Sequence, residues 1–161
     1  MTELPVIFTD LDGTLLDHDT YSAEEARSVL EKVTALGVPV IPATSKTYSE
    51  VIEFRTLRNL PHAFIVENGA ALYVPIESDI RCPMGSKLFE GYWVREFGVK
   101  RQALCDVLEA LDMSGTYQFK SLTDMRSAEV AEITGLDLAA AQRAQQRLYS
   151  ETLDWRDSDQ A

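Results

Sequence analysis

The chain has 161 residues, 45% of them hydrophobic, enough to pack one ordinary domain or two small ones. Its 26 acidic and 15 basic side chains leave a formal charge of −11. That charge repels phosphodiester backbones and anionic lipid, and excludes nucleic acid and membrane surfaces as natural partners.

The N-terminus lacks a charged segment leading into an apolar one, and no apolar run approaches the roughly 20 residues of a spanning helix. The expected location is cytoplasmic. Cys82 and Cys105 lack CxxC or Cys/His metal spacing and read as incidental thiols.

Val6-Ile7-Phe8-Thr9 is a short continuous apolar run, the pattern of a strand buried on both faces of a parallel sheet. The acidic stretch Asp10-Leu11-Asp12-Gly13-Thr14-Leu15-Leu16 follows, and Asp17 and Asp19 beyond its turn read as solvated. Ser22 and Glu25 have capping-box spacing, and Ala26, Val29, Leu30, Val33 and Leu36 recur at helical intervals until Gly37. Val38 to Ala43 is a second strand. Pro39 and Pro42 lie three residues apart within it, which points their nitrogens to opposite sides, so at least one ladder hydrogen bond must be missing.

After the polar turn Thr44-Ser45-Lys46-Thr47, a second capping-box pair, Thr47 and Glu50, opens a helix. Its apolar face is Tyr48, Val51, Ile52, Phe54 and Leu57. Ala63 to Val66 is a third strand, ending in Glu67-Asn68-Gly69. The order βαβαβ predicts the first half of a doubly wound α/β sheet over residues 1–78, with its loops at the carboxyl edge.

From residue 79 onward the pattern becomes α+β. Strand-like stretches run around Leu88 to Phe97 and Thr116 to Leu122, separated by an amphipathic helix carrying Leu104, Val107, Leu108 and Leu111. Asp137 can cap a later helix with Leu138, Ala141, Leu148 and Tyr149. Thr152 to Trp155 is the last readable element before a polar tail.

The acidic stretch carries the chemistry. A loop at the carboxyl end of a parallel strand faces the crevice where open α/β sheets bind ligands. Asp10 and Asp12, two apart, can project to one side while Leu11 enters the core. Two carboxylates sharing a site need a cation, and hard oxygen ligands favour magnesium over zinc. Asp10 can serve as nucleophile toward phosphorus and Asp12 as the proton shuttle. Gly13 permits a close turn beneath a phosphate that the Thr14 hydroxyl and nearby amides can bind, while Leu15 and Leu16 anchor the loop. The bland alternative is an Asp-Gly turn that only reverses the chain.

These residues resemble the haloacid dehalogenase (HAD) superfamily, whose first motif is DxDGT. Thr44, with Ser45 and Lys46 after it, resembles the family's second motif, the hydroxyl at the end of the next strand that binds a phosphoryl oxygen. Glu67-Asn68-Gly69-Ala70 resembles the Asn-Gly-Ala turn of the sugar-phosphatase branch. With Thr134-Gly135-Leu136 and Trp155-Arg156-Asp157-Ser158-Asp159, the whole most resembles the mannosyl-3-phosphoglycerate phosphatases.

The resemblance implies a HAD-like Rossmannoid parallel sheet, with residues 79–161 as a partial α+β cap. It also implies an aspartyl-phosphate mechanism with Mg2+ on Asp10 and Asp12, and a small phosphorylated sugar acid as substrate. Lys46 would suit an anionic substrate group or serve only as a solvated loop lysine. Asn68 and Gly69 would orient a hydroxyl or phosphate oxygen. Ser150, Glu151 and Arg156 fall where the branch sets specificity.

The family's third motif, a Lys, and its fourth, a Gly-Asp followed by another Asp, are not found in the 161 residues. The expectation is a chain truncated relative to a longer phosphatase, with an unpaired sheet edge open to self-association. The alternative is a catalytically incomplete phosphate-binding or interaction module.

Overall fold

The computed structural model describes residues 5–17, 22–58 and 60–156; Asp19 and Asp157-Ser158-Asp159 lie outside them. The chain divides into two compact units, Met1–Ser45 with Phe54–Phe97, and Lys46–Glu53 with Gly98–Ala161. Among the described residues no helix is long and apolar enough to cross a membrane.

In the first unit β1 (Ile7–Thr9) lies parallel to β2 (Val40–Pro42), Ile7 opposite Val40 and Thr9 opposite Pro42. Between them runs α1 (Glu24–Ala35). It begins later than the expected Ser22/Glu25 box, because Ala23 takes the cap position and is fully buried. Ser22 instead accepts the Glu24 N–H at 3.2 Å.

The two prolines resolve as their spacing requires. Pro39 precedes the strand and its carbonyl accepts the Ile7 N–H at 2.9 Å. The Ala43 N–H goes to Thr9 and the Thr44 N–H to Ile65, so alternation turns the missing Pro42 N–H toward the Ile65 side. Contact with β3 (Phe64–Val66) is accordingly reduced to one parallel bridge, Ala43 to Ile65.

β1 is not the doubly buried strand expected. Val6, Ile7 and Phe8 are 49%, 38% and 62% exposed, because among the described residues β2 is the sole strand paired with it.

The Thr47/Glu50 box forms as read. The Thr47 N–H donates to Glu50 Oε2 at 2.8 Å and the Glu50 N–H to Thr47 Oγ1 at 3.2 Å, opening α2 (Tyr48–Arg58).

β3 does not end in a loop. It turns back through Asn68 (φ 59°, ψ 37°) and Gly69 (φ 91°) into β4 (Ala71–Pro75), the left-handed residues of a hairpin connection that runs between the paired Val66 and Ala71. β5 (Lys87–Phe89) and β6 (Tyr92–Glu96) complete an antiparallel sheet of order β3-β4-β6-β5. The first unit runs to Phe97.

Among the described residues two apolar clusters hold this unit. Leu30, Val40 and Leu60 gather Leu15, Ala26, Val33 and Phe54, while Ile41, Ala63 and Val74 gather Leu72 and Trp93. Arg55 is buried among aromatic rings, 4.6 Å over Phe64 and 5.5 Å over Tyr92. It donates to the Tyr92 hydroxyl at 2.7 Å and the His62 carbonyl at 2.5 Å, so ring faces and neutral oxygens balance its charge.

The second unit contains α3 (Arg101–Met113), β7 (Phe119–Ser121), α4 (Ser127–Thr134), α5 (Leu138–Ala144) and β8 (Leu153–Trp155). β7 and β8 pair antiparallel, Phe119 opposite Trp155. Leu122, Met125, Val130 and Ala141 form its core. Asp137 caps α5 as expected, accepting the Ala140 N–H at 2.7 Å. That helix stops at Ala144, so Leu148 and Tyr149 lie beyond it rather than on its face. The eight-residue α4 was not anticipated; its signal is Glu129 reaching back to the Arg126 N–H at 2.8 Å.

A buried ion pair ties the unit's ends. Arg101 Nε meets Glu151 Oε2 at 2.5 Å, with the Glu151 side chain 2% exposed. Thr123 donates its hydroxyl to the same carboxylate at 2.8 Å and its N–H at 3.3 Å. Burial works to raise the Glu151 carboxyl, but the bonds from Arg101 and Thr123 hold it below the usual carboxylate range. A depressed folded-state value gives stability that is present above the ordinary Glu range and lost as pH falls. The gap in melting temperature between the wild type and Glu151→Gln should therefore hold from neutrality to about pH 5 and close below it. Glu151→Ala, which strands the Arg101 charge, should cost about 3 kcal/mol in urea unfolding at pH 7.

Candidate active site

β1 ends at Thr9 and delivers Asp10 to the carboxyl edge, where its Oδ1 accepts the Leu11 N–H at 2.8 Å. The chain then tightens. Leu11 is fully buried, and its carbonyl accepts the Thr14 N–H at 3.2 Å and the Leu16 N–H at 2.7 Å. Gly13, at φ 66°, supplies the left-handed residue this reversal needs. Buried Leu11 and Leu16 anchor the loop from both sides.

The second wall comes from β2. Thr44 is 3% exposed, its N–H bonded to the Ile65 carbonyl at 3.1 Å and its carbonyl accepting the Asn68 N–H at 3.0 Å. The hairpin turn is thereby stitched to the end of β2. Together Asp10, Ala43, Thr44, Ser45, Ile65, Asn68 and Gly69 line an open recess of about 430 Å³. Of the residues singled out in the sequence, Asp10, Thr44, Ser45, Asn68 and Gly69 thus share one site.

Others do not line it. Asp12, Gly13 and Thr14 are absent from its walls, since alternation requires extended backbone and the strand has already ended before Leu11. Asp12 keeps Oδ1 shielded from solvent. Lys46 belongs to the second unit, with its Nζ 3.8 Å from Glu50 Oε1 and both side chains largely buried. Ser150 accepts from Arg147 at 2.8 Å, Glu151 is held by Arg101, and Arg156 pairs with Asp154 at 2.9 Å.

Asp10 and Asp12 are hard oxygen donors of the kind magnesium selects, and water or a phosphate oxygen can fill its remaining positions. Among the described residues no group of three or more His, Cys, Asp or Glu could hold a metal. Recesses of about 520 Å³ beside Leu30 and Leu57, and about 550 Å³ beside Cys105 and Lys120, are larger. Neither carries a carboxylate at the carboxyl end of a parallel strand. Sequence reasoning missed the hairpin, although Asn68-Gly69 is the strongest short-range signal for one.

Residues 7–81 match the model of the haloacid dehalogenase-like hydrolases, and the chain belongs to that family. Within it, the chain is 34% identical over 156 residues to the glucosyl-3-phosphoglycerate/mannosyl-3-phosphoglycerate phosphatase of Methanococcoides burtonii, matching 97% of this chain and 57% of that one. The phosphatase of the same name from Persephonella marina is 34% identical over 149 residues, 91% of this chain and 53% of that one. The chain spans about half the length of the curated relatives it matches.

In fold it is similar to a HAD subclass IIB sugar phosphatase, with a TM-score of 0.56 at 18% identity, covering 90% of this chain and 56% of that one. A HAD-superfamily phosphatase from Bacteroides thetaiotaomicron gives 0.54 at 20% identity, covering 84% and 48%.

Asn68 combines a left-handed backbone with a side chain on the recess. Asn68→Gly should keep the turn, whereas Asn68→Ala should be less stable than Asn68→Gly by about 1 kcal/mol, measured by urea unfolding of the two variants.

Proposed function

We propose that this chain carries the nucleophile and phosphate cradle of a cytoplasmic, magnesium-dependent phosphatase acting on a phosphorylated sugar acid of the mannosyl-3-phosphoglycerate type. The observation that carries the reading is the recess itself, in which a strand-end carboxylate, Asp10, faces Thr44, Ser45 and the Asn68-Gly69 turn. The names of the two curated phosphatases support the substrate class.

On this reading one Asp10 oxygen, held by the Leu11 amide, fixes the carboxylate while the other attacks phosphorus. The ester P–O bond breaks, and the departing sugar-acid oxygen takes a proton from Asp12. Water then attacks the aspartyl phosphate, Asp12 accepts its proton, and orthophosphate leaves with Asp10 regenerated. Gly13 and Thr14 supply amides and a hydroxyl, Thr44 and Ser45 bind phosphoryl oxygens, and Asn68 and Gly69 orient the substrate. Lys46 would meet an anionic substrate group only by exchanging its contact with Glu50. Magnesium, held by Asp10 and Asp12, would neutralise phosphate charge as it shifts in the transition state.

A second reading, a phosphate-binding or interaction module without turnover, is favoured by one observation. Among the described residues no Lys or Arg lines the recess, so phosphate charge is met there by neutral donors alone. Phosphate release from mannosyl-3-phosphoglycerate separates the two. A magnesium-dependent rate that falls at least roughly a thousandfold in Asp10→Asn supports the enzyme. Calorimetric binding of the ester without release supports the module, and an undiminished rate in Asp10→Asn sinks the mechanism.

A further inference from the structure

We infer that Glu67, outside the recess, is a positioning residue for the phosphate cradle; this rests on the phosphatase reading and deepens it. In an ordinary two-residue Asn-Gly hairpin the residue before the turn stays extended and pairs with the residue after it. Glu67 departs from that pattern. Its φ is 48°, so Glu67, Asn68 and Gly69 are three successive residues with left-handed φ, the first two bearing a Cβ. Such a backbone is disfavoured for an L residue that is not glycine and persists only where its surroundings enforce it. Its side chain is 2% exposed, a carboxylate enclosed in the protein at a site where simple turn chemistry would place a solvated residue.

The geometry assigns this departure a use. Because the chain leaves the strand direction at Glu67, the Asn68 N–H is delivered across to the Thr44 carbonyl at 3.0 Å. The Ala70 N–H meanwhile closes on Val66 and Glu67 at 3.1 and 3.3 Å. Thr44 and Asn68 stand on different walls of the recess and this bond fixes their spacing. Glu67 acts through Asn68, whose amide it carries to Thr44.

The test uses the full chain with magnesium and inorganic orthophosphate as the probe, read by phosphorus NMR titration, together with amide hydrogen exchange. Glu67→Gly removes the enclosed side chain while still permitting a left-handed backbone, and Glu67→Gln keeps its shape without its charge. In Glu67→Gly the Asn68 amide should exchange roughly tenfold faster and phosphate should bind roughly tenfold more weakly, while the amides of β4 keep their protection. Glu67→Gln should restore both. If Glu67→Gly does not fold, Glu67→Asn, which also tolerates the left-handed region, carries the same comparison.

A purely structural role predicts that β4 amides lose protection alongside Asn68. That result, or unchanged phosphate affinity in Glu67→Gly beside a wild-type chain that binds, overturns the inference alone. A wild-type chain that binds no phosphate overturns the phosphatase reading and the inference with it.

Discussion

Both backbone groups of Thr44 point the same way, toward the third strand and its turn, and the recess exists because of it. Its N–H reaches Ile65 and its carbonyl receives Asn68. These bonds stand where Pro42 has removed a ladder donor, so a regular pairing of β2 with β3 gives way to a single bridge followed by a side-to-side stitch. A fully paired seam would run the two strands out together. Here the seam ends at Thr44 and the turn folds over beside it, leaving room at the end of β1 for Asp10.

The energetic hierarchy around the recess follows from burial. Leu11 and Thr44 are enclosed, while Asp10, Ser45, Asn68 and Gly69 are exposed. The polar groups available to a ligand are thus carried on backbone that apolar packing and main-chain hydrogen bonds already fix, and little of their ordering cost falls on binding. The Leu11 carbonyl, accepting two amides of its own loop, does the same for the acidic turn.

Much of the N-terminal α/β part was legible because its signals are local. The Thr47/Glu50 box, the helical recurrence ending at Gly37 and the opposed prolines each depend on residues a few positions apart, and each is found. What escaped was decided by tertiary pairing. The apolar run at Val6 to Thr9 reads as doubly buried, yet composition cannot tell how many neighbours a strand will have. Asn68-Gly69 reads as the end of a strand because the flanking runs suggest a parallel sheet, and only the antiparallel pairing of β3 with β4 distinguishes hairpin from crossover. In the site, strand-end positions for Asp10 and Thr44 followed from the βα pattern. The pairing of Lys46 with Glu50 did not, since an i,i+4 contact competes with any ligand and sequence gives no measure of which prevails.

Arg55 and Arg101 are both tied down by hydrogen bonds, but their charges are balanced in unlike ways. Arg55 lies against two aromatic rings, a phenol and a carbonyl, neutral partners that meet it with ring faces and oxygen dipoles. Arg101 leans on the Glu151 carboxylate, whose charge protonation removes. Acid therefore loosens the clasp of the second unit by taking away an anion. In the first unit it acts by adding a cation, because the His62 imidazole, held below its usual value by burial and by the nearby Arg55 charge, takes up its proton beside that guanidinium. One change of solvent thus reaches the two units through opposite charges.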